Sequence, residues 1–387
     1  MIHLTIRALE LVAMLGAVSG VGFYCLCLWS AVAFLREQKT GSGSAQMLPR
    51  VSILKPLKGI DPEMYESFRS HCLQDYPEYE IIFGVSDPND PSIGLVERLQ
   101  QEFPKSKIQL VVCRERLGAN VKVSNLVQML RHAAHDCLIV NDSDIRVDPS
   151  YLRQVVGGLL RPRTAMVTCL YRGVPEPTLG SRLESLGIST DFSAGVLAAR
   201  ALEGIRFGLG STLAFRRRDL ESIGGFEAFV DYLADDYELG NQMAKKGLGV
   251  ELSDVVVDTY LPAYTFKDFL DHQLRWARSV RDSRNWGYIG FVCTFGLFWG
   301  VLTLLLAHGA TWAWWLLGVI VVIRAATAWV VGWTVLRDPR VLYNGWLLPF
   351  RDLLAVIIWA ASFAGHSIAW RGDSFTLKDG KLARKPT

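Results

Sequence analysis

Cys137-Leu-Ile-Val-Asn-Asp-Ser-Asp144 is the stretch on which the fold turns. Four apolar residues run straight into an acidic tetrapeptide, which reads as a short buried strand ending in a carboxylate-bearing loop. Three earlier runs share this form: Val51-Ser-Ile-Leu-Lys55, Glu80-Ile-Ile-Phe-Gly-Val85 and Ile108-Gln-Leu-Val-Val-Cys113. Between and after them lie helical patterns at Glu63–Gln74, Ile93–Glu102, Lys122–Ala134 and Pro149–Leu160. Strands alternating with helices predict an α/β fold, a parallel sheet covered on both faces. Ligands of such sheets bind outside the carboxyl ends of the strands, so the loops there are the place to look.

Two of those loops are acidic, Ser86-Asp87-Pro-Asn-Asp90-Pro91 and Asn141-Asp142-Ser-Asp144. An Asp-x-Asp at a strand end sets two hard oxygen ligands on one side and suits a divalent cation such as Mg²⁺ or Mn²⁺. Alone it also fits a solvated turn; its place after Leu-Ile-Val favours the metal. No basic partner for Asp142 and Asp144 is apparent, so divalent-cation dependence is expected. Further on, Leu233-Ala-Asp235-Asp236-Tyr-Glu238 reads as a helix start, whose partial positive charge should keep Asp236 ionised. His272-Gln273-Leu-Arg275-Trp276 reads as an amphipathic helix meeting a membrane interface. Arg216-Arg217-Arg218 reads as solvated or facing anionic lipid head groups.

Half of the 387 residues are hydrophobic and only 20% are charged, which excludes a disordered, collagen-like or plain cytosolic chain. The net charge of +3 is too small to argue for nucleic acid. Leu11–Leu35 carries no charge and exceeds the ~20 residues that cross a bilayer, so it reads as an uncleaved anchor. Gly41-Ser-Gly-Ser-Ala45 follows as a linker. Tyr288–Ile323 is long enough for two helices with a break at His308-Gly309, and Ala325–Leu336 continues the second. Leu353–Trp370 is a further segment with Arg351 and Asp352 at its entrance. Arg324 is expected to snorkel.

Basic residues flank the middle region: Arg36, Lys39, Arg50, Lys55 and Lys58 before it, Arg275, Arg278, Arg281 and Arg284 after it. The positive-inside rule then places it in the cytoplasm. Lys378, Lys381, Arg384 and Lys385 pull the tail to the same side, which leaves the number of spans after 286 open. The expected domains are an anchor at 1–36, the α/β region with a closing interfacial helix at 37–285, apolar helices at 286–372 and a basic tail at 373–387. Seven cysteines without a CxxC read as buried free thiols. Acidic motifs confined to the α/β region disfavour a transporter, and the presence of Asp142, Asp144, Asp236 and Arg275 together disfavours an inert scaffold.

Leu54-Lys-Pro-Leu-Lys-Gly59, Asp75-Tyr-Pro77, Asn89-Asp-Pro91, Gly118-Ala-Asn-Val-Lys-Val-Ser-Asn-Leu126 and Asp142-Ser-Asp-Ile-Arg-Val147 are similar to motifs of the ceramide glucosyltransferase family. That family consists of GT-A (family 2/21 type) glycosyltransferases with a mixed, mostly parallel sheet. Thr168-Cys-Leu-Tyr-Arg172 and His272-x-Leu-Arg-Trp-Ala-Arg278 look closer to its bacterial hopanoid-biosynthesis branch. The resemblance implies a membrane enzyme, in the bacterial inner membrane, that moves a sugar with inversion from a UDP-sugar to a lipid hydroxyl. It implies UDP-N-acetylglucosamine and a hopanoid polyol such as bacteriohopanetetrol or, in the ceramide enzymes, UDP-glucose and ceramide. Residue by residue it implies Asp236 as base, Arg275 and Trp276 as catalytic partners, and Asp142 with Asp144 as metal ligands. Asp87, Asp90, Lys122, Asp142 and Arg275 would bind the donor; Asp235, His272 and Gln273 would lie on the acceptor side. His272 departs from the (Gln/Arg)-x-x-Arg-Trp pattern, with Gln273 beside it.

Overall fold

The computed structural model describes residues 2–38, 48–365, 367–370 and 373–384; the expected linker at 41–45, Lys39 and Lys385 lie outside them. The chain begins with helix α1 (Ile2–Gln38), strand β1 (Val51–Leu57), α2 (Met64–Cys72), β2 (Tyr79–Val85), α3 (Ser92–Glu102), β3 (Lys107–Val112), α4 (Val121–Leu130) and β4 (Cys137–Val140). It continues with β5 (Ile145–Arg146), α5 (Tyr151–Leu159), β6 (Thr164–Val174), α6 (Leu179–Gly187), α7 (Ser193–Glu203), β7 (Leu213–Arg216), α8 (Arg217–Ser222), α9 (Asp235–Lys245) and β8 (Gly249–Tyr260). The last part holds α10 (Phe266–Ser283), α11 (Asn285–Gly290), α12 (Gly296–Leu306), α13 (Thr311–Ala328), α14 (Arg340–Asn344), α15 (Leu348–Ser362), β9 (Ser367–Trp370), β10 (Asp373–Lys378) and β11 (Lys381–Arg384).

These elements form two compact units. The first comprises residues 41–175, 203–262 and 380–387 and carries an eight-stranded sheet in the order β3-β2-β1-β4-β7-β6-β8-β5. β1 is buried along its whole length and pairs in parallel with both β2 and β4. This burial on both faces is why Val51–Lys55 shows no strict alternation of apolar and polar residues. Ile53, Phe68, Phe83, Ile139 and Tyr151 fill the core around it. β7 is antiparallel to β4 and to β6, and β5 is antiparallel to β8, so the sheet is mixed. The register that sets Val51 opposite Cys137 brings the carboxyl ends of β1 and β4 to the same edge. Two members of the arginine triplet are structural, against the expectation of a solvated group. Arg216 donates to the Thr164 carbonyl at 2.8 Å and Arg217 to that of Ala133 at 2.8 Å, while only Arg218 is well exposed. Lys55, counted in the basic flank, is also buried.

The second unit comprises residues 1–40, 176–202 and 263–379. Segments 176–202 and 263–285, expected with the α/β region, therefore pack with the apolar helices. α1 and α12 meet backbone to backbone: a Cβ on Gly20 would lie 2.2 Å from the Gly296 Cα. Three helices are long and apolar enough to cross a membrane, Leu4–Glu37, Thr311–Val335 and Arg340–Ser362. A fourth such span exists if Asn285–Thr294 and Gly296–Leu306, bent by 51°, count as one. The expected break at His308-Gly309 is there, with both residues at positive φ (50° and 74°). The last helix departs from its expected extent. It ends at Ser362, followed by Gly365 at φ 138°, and Ser367–Trp370 is a strand antiparallel to Asp373–Lys378. Arg278 and Arg281 explain the stop, since they donate to the carbonyls of Ser367, Ser362 and Gly365 and so satisfy backbone that a continued helix would have used. Arg324 does not snorkel. It is buried, and its guanidinium donates to both carboxylate oxygens of Asp352, at 2.9 and 2.8 Å.

Candidate active site

β4 is short and wholly buried, and it delivers Asn141 and Asp142 to the carboxyl edge of the sheet. Asn141 fixes the turn by donating to the Ser211 carbonyl at 2.7 Å and to the Tyr151 hydroxyl at 2.9 Å. The Asp142 carbonyl accepts from the buried Lys55 ammonium at 2.9 Å. Burial pushes Lys55 down to about 7 against the pull of Asp144 and Asp142. The Asp142 carboxylate is thus presented from a rigid strand end.

The expectation that Asp142 lacks a basic partner is overturned. Lys122 Nζ lies 2.7 Å from Asp142 Oδ1 and 3.5 Å from Asp235 Oδ2. Burial opposes the ammonium charge, but the carboxylates of Asp142, Asp235 and Asp236 outweigh it and hold Lys122 well above its ordinary range. Lys122 occupies the first turn of α4, whose N-cap is Asn120: the Asn120 side chain accepts from Val123 N–H and donates to the Tyr232 carbonyl at 2.8 Å and Asp235 Oδ1 at 3.3 Å. One capping residue therefore orients both the lysine and its acidic partners.

Asp235 and Asp236 open α9, as the sequence suggested. The Asp236 Oδ1 accepts from Tyr237 N–H at 2.8 Å. Its Oδ2 and that of Asp142 converge on one point, since a Cβ added to Gly210 would lie 3.1 Å from each. Gly210 is glycine because any side chain would fill the space these two carboxylates share. The helix start does not dominate the Asp236 charge: burial, then repulsion by Asp235, pushes its carboxyl up to about 6. The segment before α9 is strapped from the C-terminus. Leu382 N–H donates to the Asp231 carbonyl at 2.7 Å and Leu233 N–H to the Gly380 carbonyl at 3.2 Å, so the expected basic tail includes a strand that bounds the acidic loop.

Asp144 is the weaker half of Asp-x-Asp. Its Oδ2 accepts from the Thr259 hydroxyl at 2.5 Å, and burial followed by Asp142 raises its carboxyl to about 6. No group of three His, Cys, Asp or Glu able to hold a metal occurs among the described residues. The donor set fits a cation bound by one or two carboxylates whose shell is completed by phosphate oxygens, the usual habit of Mg²⁺, and does not form a protein cage.

The remaining sequence-derived residues divide. Asp90 ties its own loop to the one after β1: Oδ1 accepts from the Ser92 N–H and hydroxyl, and Oδ2 from Gly59 N–H at 2.9 Å. Asp87 closes an Asx turn on Asn89 N–H at 2.8 Å. These bonds shape the loops that carry both aspartates. Arg275 and Trp276 lie on α10 in the helical unit, with Trp276 edge-on to Phe192 at 5.9 Å. His272 and Gln273, on the same helix, turn to Glu184, a residue the sequence reading passed over. Asn120, Gly210 and Asp61, whose carboxylate accepts from the Ser143 hydroxyl, were also missed. Only Asn120 had a local signal, its place ahead of an apolar helical pattern.

The chain is 25% identical over 276 residues to ceramide glucosyltransferase 3 of Caenorhabditis elegans, which is 70% of this chain and 60% of that protein. It is 22% identical over 349 residues to ceramide glucosyltransferase 1 of the same organism, covering 87% of this chain and 73% of the relative. The chain thus spans about three fifths of the first relative's length. Among solved structures it resembles the mannosyltransferase PcManGT from Pyrobaculum calidifontis, in complex with GDP-Man and Mn2+, with TM-score 0.57 and 20% identity over 92% of this chain and 98% of that one. That likeness shows the GT-A fold. The sequence model of Glycosyl transferase family 21 matches residues 12–383.

Proposed function

The chain belongs to glycosyl transferase family 21, and from that premise we propose that it transfers a sugar from a UDP-sugar to a hydroxyl of a membrane lipid with inversion at the anomeric carbon. The observation that carries the chemistry is the convergence of Asp142 and Asp236 on Gly210, with the Lys122 ammonium held among the carboxylates. A lipid hydroxyl is a poor nucleophile at neutral pH and needs a base within hydrogen-bond reach. Asp236 Oδ2 takes the hydroxyl proton as the oxygen attacks the anomeric carbon. The bond to the diphosphate breaks and UDP leaves with the electron pair. Lys122 supplies fixed positive charge at the acidic edge where the diphosphate would sit. Arg275 and Trp276 retain the catalytic roles, and Arg275 the donor contact, that the family motif implies.

Asp142, with Asp144, would hold a divalent cation that arrives with the nucleotide, and such an ion neutralises charge on a departing diphosphate as a Lewis acid. Because Lys122 already provides one cation, EDTA is expected to lower transfer about 10-fold or more without abolishing it, and Mn²⁺ or Mg²⁺ to restore it. Initial rates in chelator and in metal-replete buffer check this; full activity in chelator removes the ion from the reading.

For substrates, the hopanoid-type motifs at Thr168–Arg172 and His272–Arg278 favour UDP-N-acetylglucosamine and a hopanoid polyol. The named relatives favour the second reading, UDP-glucose and ceramide. A panel of both donors against both acceptors, read by product mass spectrometry, separates them, and product from neither lipid class defeats the lipid-acceptor reading. We place the sheet-bearing unit in the cytoplasm on its basic flanks, in a bacterial inner membrane. A cysteine introduced at Gly41 should resist an impermeant thiol reagent on intact cells; labelling there reverses the topology.

A further inference from the structure

Helix α9 opens with two aspartates of the site, yet its start carries no cap of its own. The N-cap residue is Ala234, and no side-chain bond closes the first turn from that position. α4 and α10, by contrast, are capped by Asn120 and Thr265. The first N–H groups of a helix have no partner inside it, so an uncapped start frays. Fraying at α9 would displace Asp236 itself, because it is the second residue of the helix. Gly208 N–H, donating to the Asp236 carbonyl at 3.2 Å, holds the turn at one point. The remaining constraint has to come from the segment that leads into the helix, residues 230–234.

That segment receives two sets of bonds, both from residues of the sheet-bearing unit. The first comes from the start of α4. Asn120 N–H donates to the Val230 carbonyl at 2.7 Å, Ala119 N–H to Asp231 Oδ1 at 2.9 Å and the Asn120 amide to the Tyr232 carbonyl at 2.8 Å. The second comes from the last strand. Leu382 N–H donates to the Asp231 carbonyl at 2.7 Å and Leu233 N–H to the Gly380 carbonyl at 3.2 Å, which sets Tyr232 opposite Lys381 in an antiparallel bridge. Residues paired in this way bring their side chains close, and the Lys381 ammonium lies 5.2 Å from the centre of the Tyr232 ring. Gly380 and Leu382 are buried while Lys381 and Ala383 are exposed, the alternation of a strand laid on a surface. Gly380 sits at φ 76°, which glycine adopts without strain. A tail fastened for stability alone could rest on any edge of the unit. This one is bonded to the residues that run directly into the uncapped helix.

We propose that the C-terminal strand, residues 380–384, is a positioning element of the active site: its backbone pairing with residues 231–233 sets the start of α9 and so places Asp236 for proton transfer. The inference rests on the reading of Asp236 as the base. The test uses the full chain in nanodiscs with two variants, Leu382→Ala and Leu382→Pro. Both shorten the buried side chain, but only proline removes the N–H that the Asp231 carbonyl accepts. Leu382→Pro should lower kcat about 10²-fold, the cost of a misplacement of about 1 Å, with KM for UDP-sugar and binding of UDP close to wild type. Leu382→Ala should keep most of the wild-type kcat. A merely structural strand would lower the unfolding midpoint in both variants and leave kcat per folded molecule unchanged. Hydrogen exchange supplies a readout apart from activity: the amides of residues 231–237 should exchange at least about tenfold faster in Leu382→Pro than in Leu382→Ala, and those of β1 and β4 should not. An unchanged kcat in Leu382→Pro overturns the proposal, as does an equal fall in the two variants or unaltered exchange at 231–237. Should Leu382→Pro fail to fold, Gly380→Ala, which strains the strand's first residue, decides by the same split between kcat and UDP binding. If Asp236→Asn keeps wild-type turnover, the base reading fails and takes this proposal with it. If Asp236→Asn is inactive while Leu382→Pro is not, this proposal fails alone.

Discussion

Asp236→Asn is expected to lower turnover by ~10²–10⁴ while UDP-sugar binding stays close to wild type. The amide preserves shape and can still accept from Tyr237 N–H, but it cannot take a proton. Asp235→Asn should be milder, because the Asp235 carboxylate is committed to Asn120 and Lys122, whereas the oxygens nearest Gly210 belong to Asp142 and Asp236. The pH profile gives an independent check. Asp236 acts only when ionised, and burial with Asp235 pushes its carboxyl up to about 6. Rate should therefore be full above that value and fall as pH drops through it. In Asp235→Asn the like charge is gone, so the acid limb should move to lower pH. A limb that stays in place, or near-wild-type turnover in Asp236→Asn, sends the search for the base elsewhere.

Lys122→Met should be the most damaging single change in the sheet-bearing unit. One ammonium balances three carboxylates there, two of them at 2.7 and 3.5 Å. Removing one partner of a fully buried ion pair costs about 3–5 kcal/mol because the other charge is left uncompensated; the cost here is smaller, since Asp235 is buried but the Asp142 side chain keeps 39% of its surface in solvent. A clear fall in the thermal unfolding midpoint is expected together with loss of UDP-sugar binding. The loss should be smaller at pH 5 than at pH 8, since protonation of Asp235 and Asp236 relieves the repulsion that Lys122 had quenched. A variant as stable as wild type at pH 8 would show that the carboxylates are balanced by something else.

In the half of the sheet from β1 to β4, β1, β2 and β4 were legible because they are largely buried on both faces and rich in apolar residues, and the edge strand β3 because its apolar residues recur despite its exposure. β6 and β8 were not, although they are the longest strands. Their polar residues break the pattern and are satisfied only across the sheet, as Arg172 is by Asp258 at 2.5 Å and Thr164 by Glu251 at 2.5 Å. In the site, Asp142, Asp236 and Lys122 could each be named, but their mutual pairing depends on folding that joins distant stretches of chain. At Asp236 a local helix dipole is weaker than burial beside a second carboxylate, which raises its carboxyl to about 6. Arg351 and Asp352 looked like charges at a membrane boundary because hydropathy weighs one helix at a time. Their partners Gln273 and Arg324 are supplied by two others.

The contact of Gly20 with Gly296 also carries a consequence for biogenesis. The ribosome finishes α1, a helix long and apolar enough to cross a bilayer, long before α12 exists, so its glycine-lined seam is made bare and must await a partner from the far end of the chain. The intervening sheet can fold meanwhile, but the helical unit closes only after the last spans arrive. A nascent chain stalled before residue 296 would leave that small-residue seam facing lipid, where another small-residue helix can pair with it. Quality control of this protein is thus expected to act on its first helix, at a time set by the synthesis of its last ones.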